Sequence, residues 1–377
     1  MLIPVSCLKD YISAAMKFIF NILLLAIPAT ILTAQLEEVR TEVEKIIHYD
    51  TNIDMDQLPG FVLSIIDRDS IYTLPFGTCE RSKSVSPNAL TLFEIGGLTK
   101  VFTALLCHQL ESEGFLDLSR PYNSYLPIVY RNKHLDDLTI ESLLNHTAGL
   151  PKIPTDLGSK VRKPGTRYGD YSEEDLLHFY ANLTPEDLVD SYSYSHLNYA
   201  LIQHAITDRT KKNLEDLFQQ YIFIPLEMYN TSLYPTEPVT AGYDRAGRKT
   251  KVWNLQRFAG SEGLKSTAGD LTRFVCAMLT EDHPISTIFG SSIEDQVKVP
   301  DTKKTFVTAA WHLFQNKKYP DIYLHSGKTA GHGAFIGFVR ETHTAVILLT
   351  NSVVAMDGFG VLVLRMINDN WKRKKNG

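Results

Sequence analysis

The chain has 377 residues, 44% of them hydrophobic and 21% charged, which is enough apolar material for one large core or two lobes sharing a site. Its formal net charge of −5 leaves no electrostatic footprint for nucleic acid. The one basic run, Lys372-Arg373-Lys374-Lys375, reads as a solvated helix end, and no internal repeat or low-complexity tract is visible.

From Met16 the chain runs through one lysine, an apolar stretch, Pro28 and small residues ending at Ala34, the order of a secretory signal peptide. Residues 1–34 are expected to be a signal peptide, with Met16 as an alternative start because residues 1–15 fit no targeting pattern. A single two-lobed domain then fills 35–377, and the protein is expected to be periplasmic or secreted. Contact with a membrane arises only if the leader stays uncleaved. Beyond Cys7 in the leader, Cys79, Cys107 and Cys276 are odd in number and widely spaced, so no disulfide framework or zinc site is indicated. Cys107 and Cys276 lie in apolar helical stretches and read as small buried hydrophobes.

Leu36, Val39, Val43, Ile46 and Ile47 repeat at helical spacing and predict an amphipathic first helix. Phe61 to Ile66 and Ile71 to Pro75 are short apolar runs around Asp67-Arg68-Asp69, a hairpin signal. After a polar loop, Thr91 to Gly97 leads into a helix whose Val101, Leu105 and Leu106 face the core. Residues 139–300 read mainly as helix and loop, with Thr267-Ala268-Gly269-Asp270 as a capping box and 152–171 as a long loop rich in Pro and Gly. Ile322–Leu324, Ala334–Val339 and Ala345–Thr350 predict three consecutive strands, and a closing helix follows from about Gly358 to Lys372. Strands at both ends with helices between them predict an α/β (α+β) fold: one antiparallel sheet built from both chain ends, flanked by helices, with an inserted helical lobe.

Several segments resemble those of one family. Phe93 to Ala104, FEIGGLTKVFTA, is similar to the segment around the Ser-x-x-Lys motif of class C β-lactamases, D-Ala-D-Ala carboxypeptidases and related esterases. Leu143 to Pro151 resembles the family's Leu-Leu-x-His-Thr-Ser-Gly-Leu-Pro, with Ala148 for the serine. Tyr194-Ser195-His196 resembles its Tyr-Ser-Asn, and Gly263 to Leu271 its Gly-Gly-Leu-x-Ser-Thr-x-x-Asp-Leu stretch. His325-Ser326-Gly327 resembles the His-x-Gly form of its Lys-Thr-Gly strand. These segments stand in the family's order, and the resemblance implies a β-lactamase/transpeptidase-like fold.

The resemblance also implies roles. The family's nucleophilic serine falls on Gly97, which has no side chain to acylate, and Thr99 projects about 200° away around the helix. Lys100 falls on the lysine that helps deprotonate the serine, Tyr194 on the tyrosine that shares proton transfer, and His325 on the strand's first residue. His196 replaces an asparagine that offers its amide to substrate and lysine. Ser326, Gly327 and Lys328 fall on the substrate-binding strand edge, and the backbone N–H groups of Gly97 and Lys328 on the oxyanion hole. Without the family, Gly96-Gly97 is ordinary helix-entry chemistry. No cofactor is expected, and no metal, since His325 and His332 have no companion Asp or Cys at ligand spacing.

The expected partner is a small acyl or peptide ligand: a D-alanyl peptide, a β-lactam or an ester. Three readings of function follow: an impaired binder that keeps the cleft, a hydrolase using water activated by Lys100 and Tyr194, or a local variant of a working serine hydrolase.

Overall fold

The computed structural model describes residues 29–376 apart from 56–57, 161–167, 190–191, 301, 303 and 316–319. Residues 1–28 of the expected leader lie outside the described residues, and the expected cleavage point after Ala34 falls inside helix α1 (Ala29–Lys45). That helix continues as a π-turn over Ile46–Asp50, and the first of two compact units ends at Asn52. Among the described residues no helix is long and apolar enough to cross a membrane.

In the second unit the strands β1 (Gly60–Asp67), β2 (Ser70–Gly77), β3 (Leu92–Glu94), β4 (Lys265–Thr267), β5 (Val297–Lys298), β6 (Thr305–Val307), β7 (His312–Phe314), β8 (Ile322–Lys328), β9 (Gly333–Val339) and β10 (Thr344–Thr350) form two sheets. The larger has eight strands in the order β2-β1-β10-β9-β8-β7-β6-β5, and β3 pairs with β4 apart from it. All pairings are antiparallel, with Phe61 opposite Thr350 and Val62 opposite Leu349 joining the two ends of the chain. The sheet built from both ends is therefore as expected. The hairpin at Asp67 closes through Arg68, whose φ of 55° suits a tight two-residue turn.

β9 and β10 are buried along their full length, which explains why they read as continuous apolar runs instead of alternating ones. The helices of this unit are α2 (Thr99–Ser112), α3 (Ile140–Leu144), α4 (Glu173–Ala181), α5 (His196–Thr210), α6 (Ala259–Glu262), α7 (Ala268–Leu279), α8 (Pro284–Ser292) and α9 (Asp357–Asn376), besides shorter turns. α7 packs on β1 and β10, and α9 on β9 and β10. α2 and α5 are buried on nearly every side, the state of a helix enclosed by its own domain. The basic run 372–375 lies in the last turns of α9.

Three expectations need correction. Strands β5 to β7, at 297–314, were not predicted: each has two or three residues, too few to show a period of two. The capping box at Thr267 is half made: Thr267 accepts from the Asp270 N–H at 3.1 Å, but the Asp270 carboxylate turns instead to the Asn230 N–H and the Thr231 hydroxyl. The loop 152–171 contains a helical turn at Leu157–Lys160 and two fully buried tyrosines, Tyr168 and Tyr171. Among the cysteines, Cys107 is fully buried as expected, whereas Cys276 is only half-buried.

Candidate active site

The site begins where β3 hands the chain to α2. Strand β3 is pinned to β4, and the Ile95 N–H donates to the Leu264 carbonyl. A 3-10 turn over Gly96–Leu98 then starts the helix. Gly96 has a φ of +50°, and a Cβ there would come within 2.7–2.8 Å of the Lys328 backbone. Glycine is therefore required by conformation and by the close approach of β8. A Cβ on Gly327 would run into the Ile95 carbonyl oxygen, so the second wall of the site is also held at backbone distance.

β8 leaves part of its edge open. Its pairing with β7 ends at Leu324 opposite His312, while its pairing with β9 continues to Lys328 opposite Gly333. The Thr329 N–H donates to the His332 carbonyl at the hairpin end. Antiparallel alternation then turns the N–H and C=O groups of Ser326 and Lys328 away from β9, toward the Gly97 turn. The expected pair of backbone donors, Gly97 and Lys328, thus faces one cavity of about 340 Å³.

Ser195 caps α5 by accepting from the Asn198 N–H and itself donates to the Pro151 carbonyl, which fixes Tyr194 and His196 on either side of it. Lys100, in the first turn of α2, is fully buried. Its Nζ stands 3.1 Å from His196 Nδ1, donates to the Ser261 carbonyl at 3.1 Å, and lies over the Tyr194 ring at 4.8 Å from its centre. His196 Nδ1 is also 3.2 Å from Ser261 Oγ and 3.4 Å from Glu262 Oε2. Burial, followed by the Glu262 charge, holds the Tyr194 hydroxyl well above the usual tyrosine range.

The Nδ1–H of His325 donates to the Ala310 carbonyl at 2.6 Å, so its Nε2 carries the lone pair, buried and without a hydrogen-bond partner. Burial, with smaller contributions from His312 and Lys100, pushes its pKa down to about 3. His325 is therefore neutral at physiological pH and offers no charge to a ligand carboxylate. His146 accepts from the Ser195 N–H through Nδ1 and stacks against Tyr194 with ring centres 4.6 Å apart.

The structure thus gathers Gly97, Tyr194, His196, His325, Ser326, Gly327 and Lys328 around one cavity, with Lys100 beneath its floor. It adds five lining residues that the sequence did not single out: Lys152, Trp253, Glu262, His312 and Thr329. Glu262 directly precedes the Gly263-Leu264 motif, the one sequence signal that could have found it. His332, set aside as a metal ligand, instead meets Glu94 Oε2 through Nδ1 at 3.0 Å and the Thr240 carbonyl through Nε2 at 3.1 Å. Among the described residues no cluster of His, Cys, Asp or Glu could hold a metal ion. A larger open hollow of about 770 Å³ lies between residues 79–92 and 229–241, away from these groups.

Comparison with known proteins bears on the fold and the family. The unguisins hydrolase of Aspergillus violaceofuscus is 25% identical over 354 residues, covering 83% of this chain; the chain spans only 62% of that protein's length. A beta-lactamase of Psychrobacter immobilis is 23% identical over 381 residues, covering 91% of this chain and 90% of its own. The crystal structure of a beta-lactamase/D-alanine carboxypeptidase from Pseudomonas syringae superposes with a TM-score of 0.75 at 19% identity, covering 89% of this chain and 99% of that one. That likeness establishes the fold: a mixed architecture with an antiparallel sheet flanked by helices. The beta-lactamase family model matches residues 39–362, and the chain belongs to the beta-lactamase family.

Proposed function

We propose that this chain is a cell-envelope protein, exported by its N-terminal segment, whose cleft binds acyl or D-alanyl peptide-like ligands without forming an acyl-enzyme. The observation that carries this reading is Gly97. It stands at the head of α2, one turn before Lys100, where the family pattern has a serine, and it has no atom that can be acylated. Backbone donors need no side chain, so the oxyanion-hole geometry of Gly97 and Lys328 can outlast the chemistry. The open edge of β8 supports an extended ligand by strand addition. Relatives described as beta-lactamases and as a beta-lactamase/D-alanine carboxypeptidase support the same ligand class.

The test is intact-mass spectrometry of the mature protein after incubation with a fluorescent penicillin and with a p-nitrophenyl ester. No adduct is expected with either reagent, while reversible binding is measurable by displacement. A covalent acyl adduct on the unmodified protein would sink this reading.

One observation favours a second reading, in which a water takes the nucleophile's place. The point where a Cβ on Gly97 would stand is 2.8 Å from Tyr194 Oη and 3.4 Å from the Ser326 carbonyl oxygen. A water cannot occupy that point itself, which is one bond from the Gly97 Cα; in this reading it lies farther out, in the cavity that Gly97 and Tyr194 both line. Hydrolysis of the ester without any adduct, at a rate lost in Tyr194→Phe, supports this second reading. In other serine hydrolases, activity surviving loss of the nucleophile is on the order of 10³-fold over water.

A further inference from the structure

The cavity holds a charge that the family pattern does not account for. Glu262 is 4% exposed and is the one acidic side chain among the described residues lining the cavity. Its Oε2 is fully buried without a hydrogen-bond partner. The approach of His196 Nδ1 to 3.4 Å is an ion-pair contact and not a hydrogen bond, and the same nitrogen also meets Lys100 Nζ at 3.1 Å and Ser261 Oγ at 3.2 Å. A buried carboxylate oxygen without a donor is costly. Such a group persists where a ligand completes it.

The groups around Glu262 define what that ligand carries. On the same cavity, Gly97 and Lys328 present backbone N–H groups suited to a carbonyl oxygen, and His325 Nε2 is a second acceptor without a donor. Lys152 and Lys328 add positive side chains on the lining. An acceptor-only carboxylate within a cavity that also holds a carbonyl calls for a cationic N–H donor a few bonds from that carbonyl. An α-ammonium group meets the requirement: it offers three donors and a full charge.

We propose that Glu262 is the recognition site for the free α-ammonium of a short peptide bound in this cleft, so that the protein selects peptides with an unblocked N-terminus. The inference rests on the binding reading above and names its ligand more closely. It also accounts for a carboxylate placed beside His196 and Lys100, where an added negative charge would repel an acidic acyl group.

Calorimetric titration with D-alanyl-D-alanine and with N-acetyl-D-alanyl-D-alanine tests it. The free amine is expected to bind at least about tenfold more tightly to the wild-type protein, as a desolvated ion pair would give. Glu262→Gln, which keeps the shape and removes the charge, should reduce that ratio to below about threefold by weakening the binding of the free amine. Glu262→Asp, which keeps the charge on a shorter stem, should retain part of the preference, and thermal melting checks that both variants fold. Equal or tighter binding of the acetylated peptide by the wild-type protein overturns the assignment of Glu262 while leaving the cleft as a peptide site. Binding of neither compound overturns the binding reading and this inference with it.

Discussion

Gly97 and Tyr194 form a fitted pair. With Tyr194 Oη 2.8 Å from the position of a Cβ on Gly97, a serine at 97 requires the tyrosine to yield. Gly97 is buried, and the half-buried Tyr194 ring packs against His146 and the Lys100 amine. We therefore expect Gly97→Ser to lower stability by about 1–3 kcal/mol, the usual cost of an added side chain in a packed site. It should be acylated more slowly than a serine with free space around it. Tyr194 makes no hydrogen bond to a described residue through its hydroxyl, so Tyr194→Phe alone should cost little. In the double variant it should return more than half of the loss. Urea unfolding of the two single variants and the double variant measures the coupling. Additive effects would mean that residue 97 and the tyrosine do not compete for space. The identity of this pair was legible in the sequence through the motif segments. Their competition for space was not, because it depends on where α5 places the Tyr194 ring relative to the turn before α2.

At the scale of elements, one carboxylate ties the walls of the cleft together. Glu94 is on β3, two residues before the Gly96 turn, and its Oε2 accepts from the Thr329 hydroxyl at 2.9 Å and faces His332 Nδ1 at 3.0 Å. Its Oε1 accepts from the Trp253 N–H at 2.8 Å. β3, the hairpin after β8, and the segment carrying Trp253 thus converge on one buried side chain. Burial alone would raise its pKa, but the His332 hydrogen bond and charge, with the Trp253 N–H and Thr329, bring it below the usual carboxylate range. Glu94→Gln should cost about 3 kcal/mol, since it leaves buried donors imperfectly matched. It should also weaken ligand binding, because Trp253 and Thr329, the neighbour of Lys328, lose their common anchor. Thermal melting and the displacement assay check the two effects, and a stable variant with weakened binding alone would show that Glu94 only orients the cleft.

The same scale explains what the sequence could not reveal. The long strands and α2 were readable from their apolar runs and spacing. In contrast, β5 to β7 are too short to carry a period, and His312 reaches the cavity only because β7 pairs with β8. Lys152, Trp253 and Glu262 come from three separate loops or helix ends and have no shared spacing. Their meeting is a product of tertiary packing.

Across the whole molecule, the buried histidines set the response to acid. His325 is pushed down to about 3 and His108 to about 4, while His146, His204 and His312 are also lowered, with burial the leading cause in every case. Each is neutral in the folded protein and titrates near its ordinary value of 6.5 once the chain unfolds. Below that value the unfolded chain binds protons that the folded chain refuses, so stability falls as pH falls. The contribution of these groups is complete above pH 6.5 and is lost progressively as pH falls toward their lowered folded values, about 3 for His325 and about 4 for His108. Each group costs about 1.4 kcal/mol per pH unit inside that window. His325 and His108 together would remove roughly 6–8 kcal/mol over two to three units, a large part of a typical stability of about 5–15 kcal/mol. Glu94 acts in the same direction but lower on the scale: its folded pKa is depressed, so its contribution is complete above its ordinary value of 4.5 and is lost only beneath it. Urea midpoints measured from pH 8 to 5 should therefore be level above pH 7 and drop steeply below 6.5. His325→Gln should flatten the slope by about one proton, and His312→Gln should flatten it in the same direction. A midpoint that stays level down to pH 5 would mean that these histidines open to solvent before the fold gives way, a range in which carboxylates alone produce no such fall.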